Sequence, residues 1–460
     1  MNRILPVIAL LGLATAGCRT TKDILDDYDK DIASGNYAHA SIEVGEMAGK
    51  GDDSVALWRL QTAAAQYMAN DPAAISTFDL VEDAYYKRDQ TKAVGKAGET
   101  SLSMLTNERS IPYAGTGEDR IFTCFYKAVD YAAMNNFAAA RTEFNRAAQY
   151  QDNWLWARRE EIAEARKKLE ADSAAYAREK KTSVDTAAAT SAADKALMDA
   201  SFTAKIRQGT GFDPRRDGNL DQLAQADHFN QYVDHAMNVF RWFNHDPGHS
   251  FTGQPRPVDR VWIYVEDGLC PVRDEWRIDL PLILIPYANR FIQYAGMALP
   301  KLIERGAAHN SYSVVAGSSQ ANMSLMQDVD KLTKTEFDVY MSGCLKREIT
   351  RTIIKAGLQV GFGVAAETTN AKDAKLAFRI AQLGVATWAM TTTAADLRTW
   401  TALPKKVYAL ELTRPSDGHI EIRGGGAPIA DITLPKGNSM IFVRKPTAVA
   451  PATVKTVTFK

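Results

Sequence analysis

No sign of charge prevails in this chain: 55 Lys and Arg face 55 Asp and Glu. That balance argues against a general polyanion binder. No basic block interleaved with aromatics occurs, so nucleic acid is not an expected partner. The signatures of common chemistries are also missing: there is no GxSxG, no P-loop and no SxxK nucleophile. The sequence therefore names no reaction and implies no cofactor. Long apolar runs are absent after the first twenty residues. Leu282 to Ile285 is bracketed by Pro281 and Pro286, far below the ~20 residues of a membrane span. Leu376 to Ala395 is long enough but carries Arg379 and Gln382, which are costly in hydrocarbon, and it reads as a buried helix. Cysteine is scarce, with four in 460 residues.

The first of those cysteines is the most informative residue present. Arg3, the apolar run Ile4 to Leu13 and the small residues Ala14 to Gly17 form a secretory signal over 1–17, too short to span and stay. Cys18 directly after it resembles the lipobox of bacterial lipoproteins, where the thiol is diacylated and becomes the new N-terminus. Thr15 stands where Leu is usual, and an ordinary cleaved signal with an incidental cysteine is the alternative. The resemblance implies anchoring by acyl chains, each buried methylene contributing about 0.8 kcal/mol. Arg19 follows where an Asp would suggest inner-membrane retention, which favours the outer membrane, facing the periplasm. Cys124, Cys270 and Cys344 remain. An oxidising periplasm permits one disulfide, with Cys270 and Cys344 as the candidate pair because Cys124 lies in a helical repeat. Three unpaired core thiols are the alternative.

Trp58, Ala74 and Phe78 stand at tetratricopeptide spacing, large, then small, then Phe. Asn70-Asp71-Pro72 supplies the turn. Ala128, Tyr131, Ala140, Phe144 and Ala147 repeat the template around Asn135-Asn136. Ala40 precedes Ala74 by one period of 34 residues, and a degenerate unit is expected over Glu82 to Ser110. Small residues let helices approach while aromatics fill the next groove. Residues 157–193 then carry a charged helix and a small, polar linker.

Residues 194–460 read as a mixed domain. Val258 to Val265 and Trp276 to Leu280 predict a hairpin about Glu266-Asp267-Gly268. Tyr287 to Glu304 and Ser319 to Lys355 predict helices, and Ala356 to Ala366 with Leu376 to Ala395 an Ala/Gly-rich helical pair. Short strands follow at Lys406–Leu412, His419–Arg423, Ile429–Leu434, Ser439–Arg444 and Val454–Phe459, separated by turns. The expected fold is α+β: a tetratricopeptide-like helical repeat array over 23–156, then a mixed helix/strand domain ending in a small antiparallel sheet.

DLRTWTALPKKVYAL, from Asp396 to Leu410, resembles the signature of an uncharacterised family of bacterial lipoproteins with N-terminal tetratricopeptide-like helices. VWIYVEDGLCPVRDEWRIDLPL, MQDVDKLTKTEFDVYMSGCLKREITRTIIK and YKAVDYAAMNNFAAARTEF resemble further stretches of it. The resemblance implies architecture and compartment, and no activity. It singles out Asp396, Arg398 and Trp400, since an Arg can pin a carboxylate bidentately while a Trp covers the pair. Either a docking surface or a structural clamp follows.

His245, Asp246 and His249 are the candidate metal ligands, although Pro247-Gly248 makes a turn rather than one helical face. Asp213, Asp217, Asn219 and Asp221 place oxygens as a calcium loop might be built, without EF-hand spacing. The expected function is a non-enzymatic, lipid-anchored envelope scaffold that binds other envelope proteins through its helical repeats. The alternative is a periplasmic enzyme acting on cell-wall polymers, with acid/base chemistry from His245, Asp246 and His249.

Overall fold

Thr20 opens the first helix, α1 (Thr21–Ser34). Its hydroxyl accepts from Asp23 N at 3.2 Å, and the Asp23 carboxylate accepts from Thr20 N at 2.8 Å. This capping box satisfies donors that a helix start leaves free. A computed structural model describes residues 20–51, 53–105, 109, 112–154, 199–214, 230–255, 257–279, 292 and 294–459, the side chains of 91–105 and 279 aside. Gly35 ends α1 at φ 86°, and a Cβ there would lie 2.2 Å from Pro451 Cδ, so only glycine fits. Then come α2 (Tyr37–Ala48), α3 (Val55–Met68), α4 (Ala73–Leu105) and α5 (Gly117–Ala133), each packed on its predecessor. A further helix, α6, covers 137–154. Asn70 and Asn135 take left-handed backbone (φ 56° and 61°) in the two expected turns. Ala40, Ala74, Ala128, Ala140 and Ala147 are buried, and so are Trp58, Phe78 and Phe144.

The second half begins with α7 (Ala200–Thr210) and α8 (Gln231–Phe243). Its strands are β1 (Arg260–Asp267), β2 (Val272–Asp279), β3 (Gly296–Ile303), β4 (Tyr312–Ala316), β5 (Ser319–Asn322) and β6 (Ser324–Asp328). Two long helices follow, α9 (Val329–Thr368) and α10 (Lys372–Thr392). The chain ends in β7 (Lys406–Thr413), β8 (His419–Gly424), β9 (Ala427–Thr433), β10 (Asn438–Lys445) and β11 (Thr453–Phe459). Three sheets result: β11-β10-β1-β7-β6, β5-β4-β8-β9 and the pair β2-β3. β1 and β10 run parallel; the other pairs are antiparallel. The chain is thus α+β, with mainly antiparallel sheets toward its C-terminus.

Alternation along the central strands explains the layering. Val261, Ile263 and Val265 of β1, with Ile441 and Val443 of β10, pack against Val314, Ile420 and Ile422 of the second sheet. The intervening Tyr264, Met440 and Phe442 point the other way, into a core shared with α1 to α6. A period of two buries both faces of the sheet, helices on one side and strands on the other. Phe125 lies 4.8 Å from Tyr232 and 6.0 Å from Phe442, and Phe137 stacks 5.2 Å from Phe459. The helical half and the terminal sheet therefore share one apolar core. A second cluster joins α7, β3 and the first part of α9 through Phe202, Ile206, Leu299, Phe337 and Leu345.

Four expectations are corrected. β1 and β2 are not a hairpin: β1 pairs with β7 and β10, while β2 pairs with β3. Pro271, which has no N–H to donate, follows the Gly268 turn, and the chain leaves the sheet. The helix expected up to Glu304 is a strand over Gly296–Ile303, because Pro300 would interrupt a helix but is tolerated in a two-stranded sheet. Ser319 to Asp328 forms two short strands around Met323, and the helix starts only at Val329, where the Asp328 carboxylate accepts from Lys331 N. Much of the stretch read as a degenerate two-helix unit lies in α4, one helix of 33 residues. The charged segment and linker of 157–193 lie outside the described residues, as does the signal with Cys18. No helix among the described residues is long and apolar enough to cross a membrane.

Candidate functional site

An open, acidic cavity of about 440 Å³ lies between α4, α5 and α6. Its lining follows from helical spacing. Asp79, Glu82, Asp83, Tyr86 and Asp89 recur every three or four residues along α4 and so share one face. Arg120 of α5 and Arg146 and Tyr150 of α6 complete the wall. The buried Lys127 of α5 holds two of these carboxylates, its ammonium 2.7 Å from Asp79 and 2.5 Å from Glu82, and lies 3.0 Å from Glu143. Burial alone would lower Lys127, but the hydrogen bonds it donates to Asp79 and Glu82 and the field of Glu82 and Glu143 raise it, so it stays charged. Arg146 reaches Glu82 at 2.8 Å and Glu143 at 3.0 Å. Arg120 holds Asp89 bidentately at 2.7 and 3.0 Å and lies 4.5 Å over the Tyr85 ring. Four carboxylates and two guanidiniums line the cavity, and Tyr86 is 66% exposed at the rim. Such a field favours a cationic group entering from outside.

Glu82, Cys124 and Glu143 stand close enough to ligate a metal. The fit is poor. Lys127 already supplies a cation to both carboxylates, and burial, with Glu82 and Glu143 nearby, pushes the Cys124 thiol well up. A protonated thiol is neither a ligand nor a nucleophile. Asp31, His39 and Glu43 form the other such group among the described residues, with His39 Nδ1 2.6 Å from Asp31 Oδ2 on an exposed surface.

A second polar region is closed. Glu118 and Glu336 line a cavity of about 20 Å³, where the Thr333 hydroxyl donates to Glu118 at 3.3 Å. Burial first, then the Glu336 and Asp119 carboxylates, push Glu118 well above the usual carboxylate range. The space suits one water and no substrate.

The residues expected to carry function divide as follows. Asp396, Arg398 and Trp400 are all buried, so the docking-surface reading is corrected to a clamp. Arg398 donates to Asp396 through Nε at 2.8 Å and Nη2 at 2.9 Å, and through Nη1 to Asp53 O at 3.1 Å. Burial alone would raise Asp396, and the Arg398 guanidinium outweighs it, holding the carboxyl below its ordinary range. Trp400 packs edge-on to Phe78 and Tyr126 at 6.2 and 6.0 Å. The whole strap from Thr393 to Lys405 is tied in: Gln61 donates to Thr399 O and Thr401 Oγ1, Thr401 donates to Asp29, and Cys270 N donates to Leu403 O. It fastens the helical half to the sheets.

His245, Asp246 and His249 do not gather as ligands. His245 is exposed in a left-handed turn position (φ 58°), while Asp246 is held by Arg141, with Nε 2.8 Å from Oδ2. Arg141 occupies the Asp246 carboxylate, and the three residues form no ligand group. The Cys270–Cys344 pairing is also corrected: Cys124, Cys270 and Cys344 are buried and form no disulfide. Cys270 belongs to the core shared with the helices, its thiol donating to Trp400 O at 3.4 Å, whereas Cys344 sits in the α9 cluster. Of the oxygen donors considered for calcium, Asp217, Asn219 and Asp221 lie outside the described residues. The acidic cavity was missed in the sequence. Two signals pointed to it: the acidic stripe of α4, and Lys127 as the only charge within IFTCFYKAV. Comparison with protein-family models, with curated proteins and with solved structures gives no match to this chain.

Proposed function

We propose that this chain is a lipid-anchored, non-enzymatic accessory protein of the bacterial cell envelope, facing the periplasm from the outer membrane. It binds a basic segment of another envelope protein. The observation that carries the reading is where open surface remains. The aromatic face of the helices is filled by the chain's own α8, strap and terminal sheet, so a partner meets the acidic cavity of α4, α5 and α6 instead. Support for tetratricopeptide-like repeats comes from buried Ala40, Ala74 and Ala140 and from the asparagine turns at 70 and 135. Membership in the uncharacterised lipoprotein family rests on the strap motif beginning at Asp396, and anchoring rests on Cys18. Deleting the helices is no test, since that would strip one face of the sheet. Asp83→Lys with Tyr86→Ala changes only exposed side chains. Recovery of partners from crosslinked envelopes is expected to fall for that variant, and an unchanged set of partners would refute the reading.

A further inference from the structure

α9 and α10 form a helical hairpin whose outer side is apolar. The anchored part of α9 ends near Ala356 and Gln359, where Gln359 donates to Tyr294 O at 2.8 Å and accepts from Tyr294 N at 3.2 Å. Beyond that point α9 packs chiefly on α10. Gln382, Ala386 and Ala389 are the buried residues of α10. On an adjacent face, about a third of a turn round the helix, Leu376, Ile380, Leu383 and Met390 recur at helical spacing and are 54–62% exposed. Leu358 and Val364 of α9 add two more exposed side chains. From Leu376 to Thr392 the only ionisable residue is Arg379, which is paired with Glu367 at 3.5 Å. Six of the large apolar side chains that this fold leaves exposed thus sit on one hairpin. Soluble monomers rarely leave such a patch unused.

The position of the anchor decides what covers it. The described chain begins at Thr20, and Lys22 of α1 pairs with Asp274 at 3.4 Å. The next residue, Glu275, accepts from Ala395 N at 2.9 Å, three residues past the end of α10. Cys18 lies two residues before Thr20, a reach of at most about 7 Å. Acyl chains on Cys18 therefore enter the bilayer beside the base of the hairpin. From there the stripe runs from Met390 to Leu376, about 21 Å along the helix axis. Lys372, Asp373 and Lys375 stand exposed at the far end, whose two lysines outweigh the one carboxylate and are attracted by anionic headgroups.

We propose that the exposed apolar stripe of α10 lies in the lipid surface next to the acyl anchor. The hairpin then makes a second contact that fixes how the protein stands on the membrane. This rests on the anchoring part of the proposed function and goes beyond it; partner binding is not involved.

The test uses the full acylated protein reconstituted in vesicles of phosphatidylethanolamine and phosphatidylglycerol. A bimane is attached at Leu383→Cys, or at Ile42→Cys as an exposed control on α2. Cys124, Cys270 and Cys344 are buried and do not compete. Bimane at 383 is expected to be blue-shifted and quenched several-fold more by doxyl-labelled lipid than bimane at 42. Equal, weak quenching at both positions overturns the proposal. So does ready disulfide formation between 383 thiols of two molecules, which would assign the face to a second copy. Shielding from iodide without lipid quenching would assign it to another protein and also overturns it. Fatty-acid labelling of Cys18 is read separately, so a missing anchor and a lipid-free hairpin give different results.

Discussion

Breaking the Asp396–Arg398 pair tests whether the strap is a clamp. Asp396→Asn keeps the shape and leaves the Arg398 guanidinium inside without its charge partner. Arg398→Met leaves a bare carboxylate and also frees Asp53 O. The two side chains are 4% and 11% exposed, so solvent screens the pair little. Removing one partner of a buried ion pair costs roughly 3–5 kcal/mol. The double variant strands no charge, so its loss is expected to fall short of the summed losses by about 2–3 kcal/mol. Urea unfolding followed by tryptophan fluorescence measures this, with Trp400 reporting from the strap itself. Because helices and sheet share a core, far-UV circular dichroism is expected to give the same transition. Single-variant losses below about 1 kcal/mol, the range of exposed pairs, would refute the clamp. Strict additivity would refute it as well.

Glu118→Gln tests the closed cavity. A carboxyl raised in the folded state contributes stability that is complete below its ordinary value of 4.5 and is lost as pH rises through the folded value. Glutamine does not titrate, so the stability of the variant relative to wild type is expected to grow as pH rises above 4.5. A difference constant with pH would contradict this. Ellman's reagent is expected to find no reactive thiol at Cys124, Cys270 or Cys344 in the native protein and three after denaturation. A loss of those thiols without reductant would mean a disulfide. Cys18→Ser is expected to abolish metabolic labelling by a clickable fatty acid while leaving the thermal stability of the mature fold unchanged; equal label in both proteins would remove the anchor.

Local signals carried well into this fold. Asn70 and Asn135 marked turns because asparagine tolerates left-handed backbone, and the periodic alanines marked helix contacts because size alone decides close approach. The five C-terminal strands were legible from alternation. Pairing was not. That β1 joins β10, across 178 residues, depends on which strand covers which face, and alternation along one strand does not say. Pro271 and Pro300 held the missing information about β2 and β3. The strap shows the opposite failure. Asp396, Arg398 and Trp400 stood out as a constellation, yet side-chain type cannot separate a surface from an interior, and burial made them structural. The acidic cavity escaped because it joins three helices, and only their packing brings Lys127 over Glu82 and Glu143.

Photocrosslinking from the rim of that cavity tests the central claim most directly. A photoreactive amino acid in place of Tyr86, in cells making the full-length protein, is expected to give an adduct with a discrete envelope protein that mass spectrometry identifies. The adduct is expected to weaken with Asp83→Lys, and the purified complex to weaken as salt screens the carboxylates. No adduct from position 86, or one that Asp83→Lys leaves unchanged, would contradict the assignment of this cavity as the partner site.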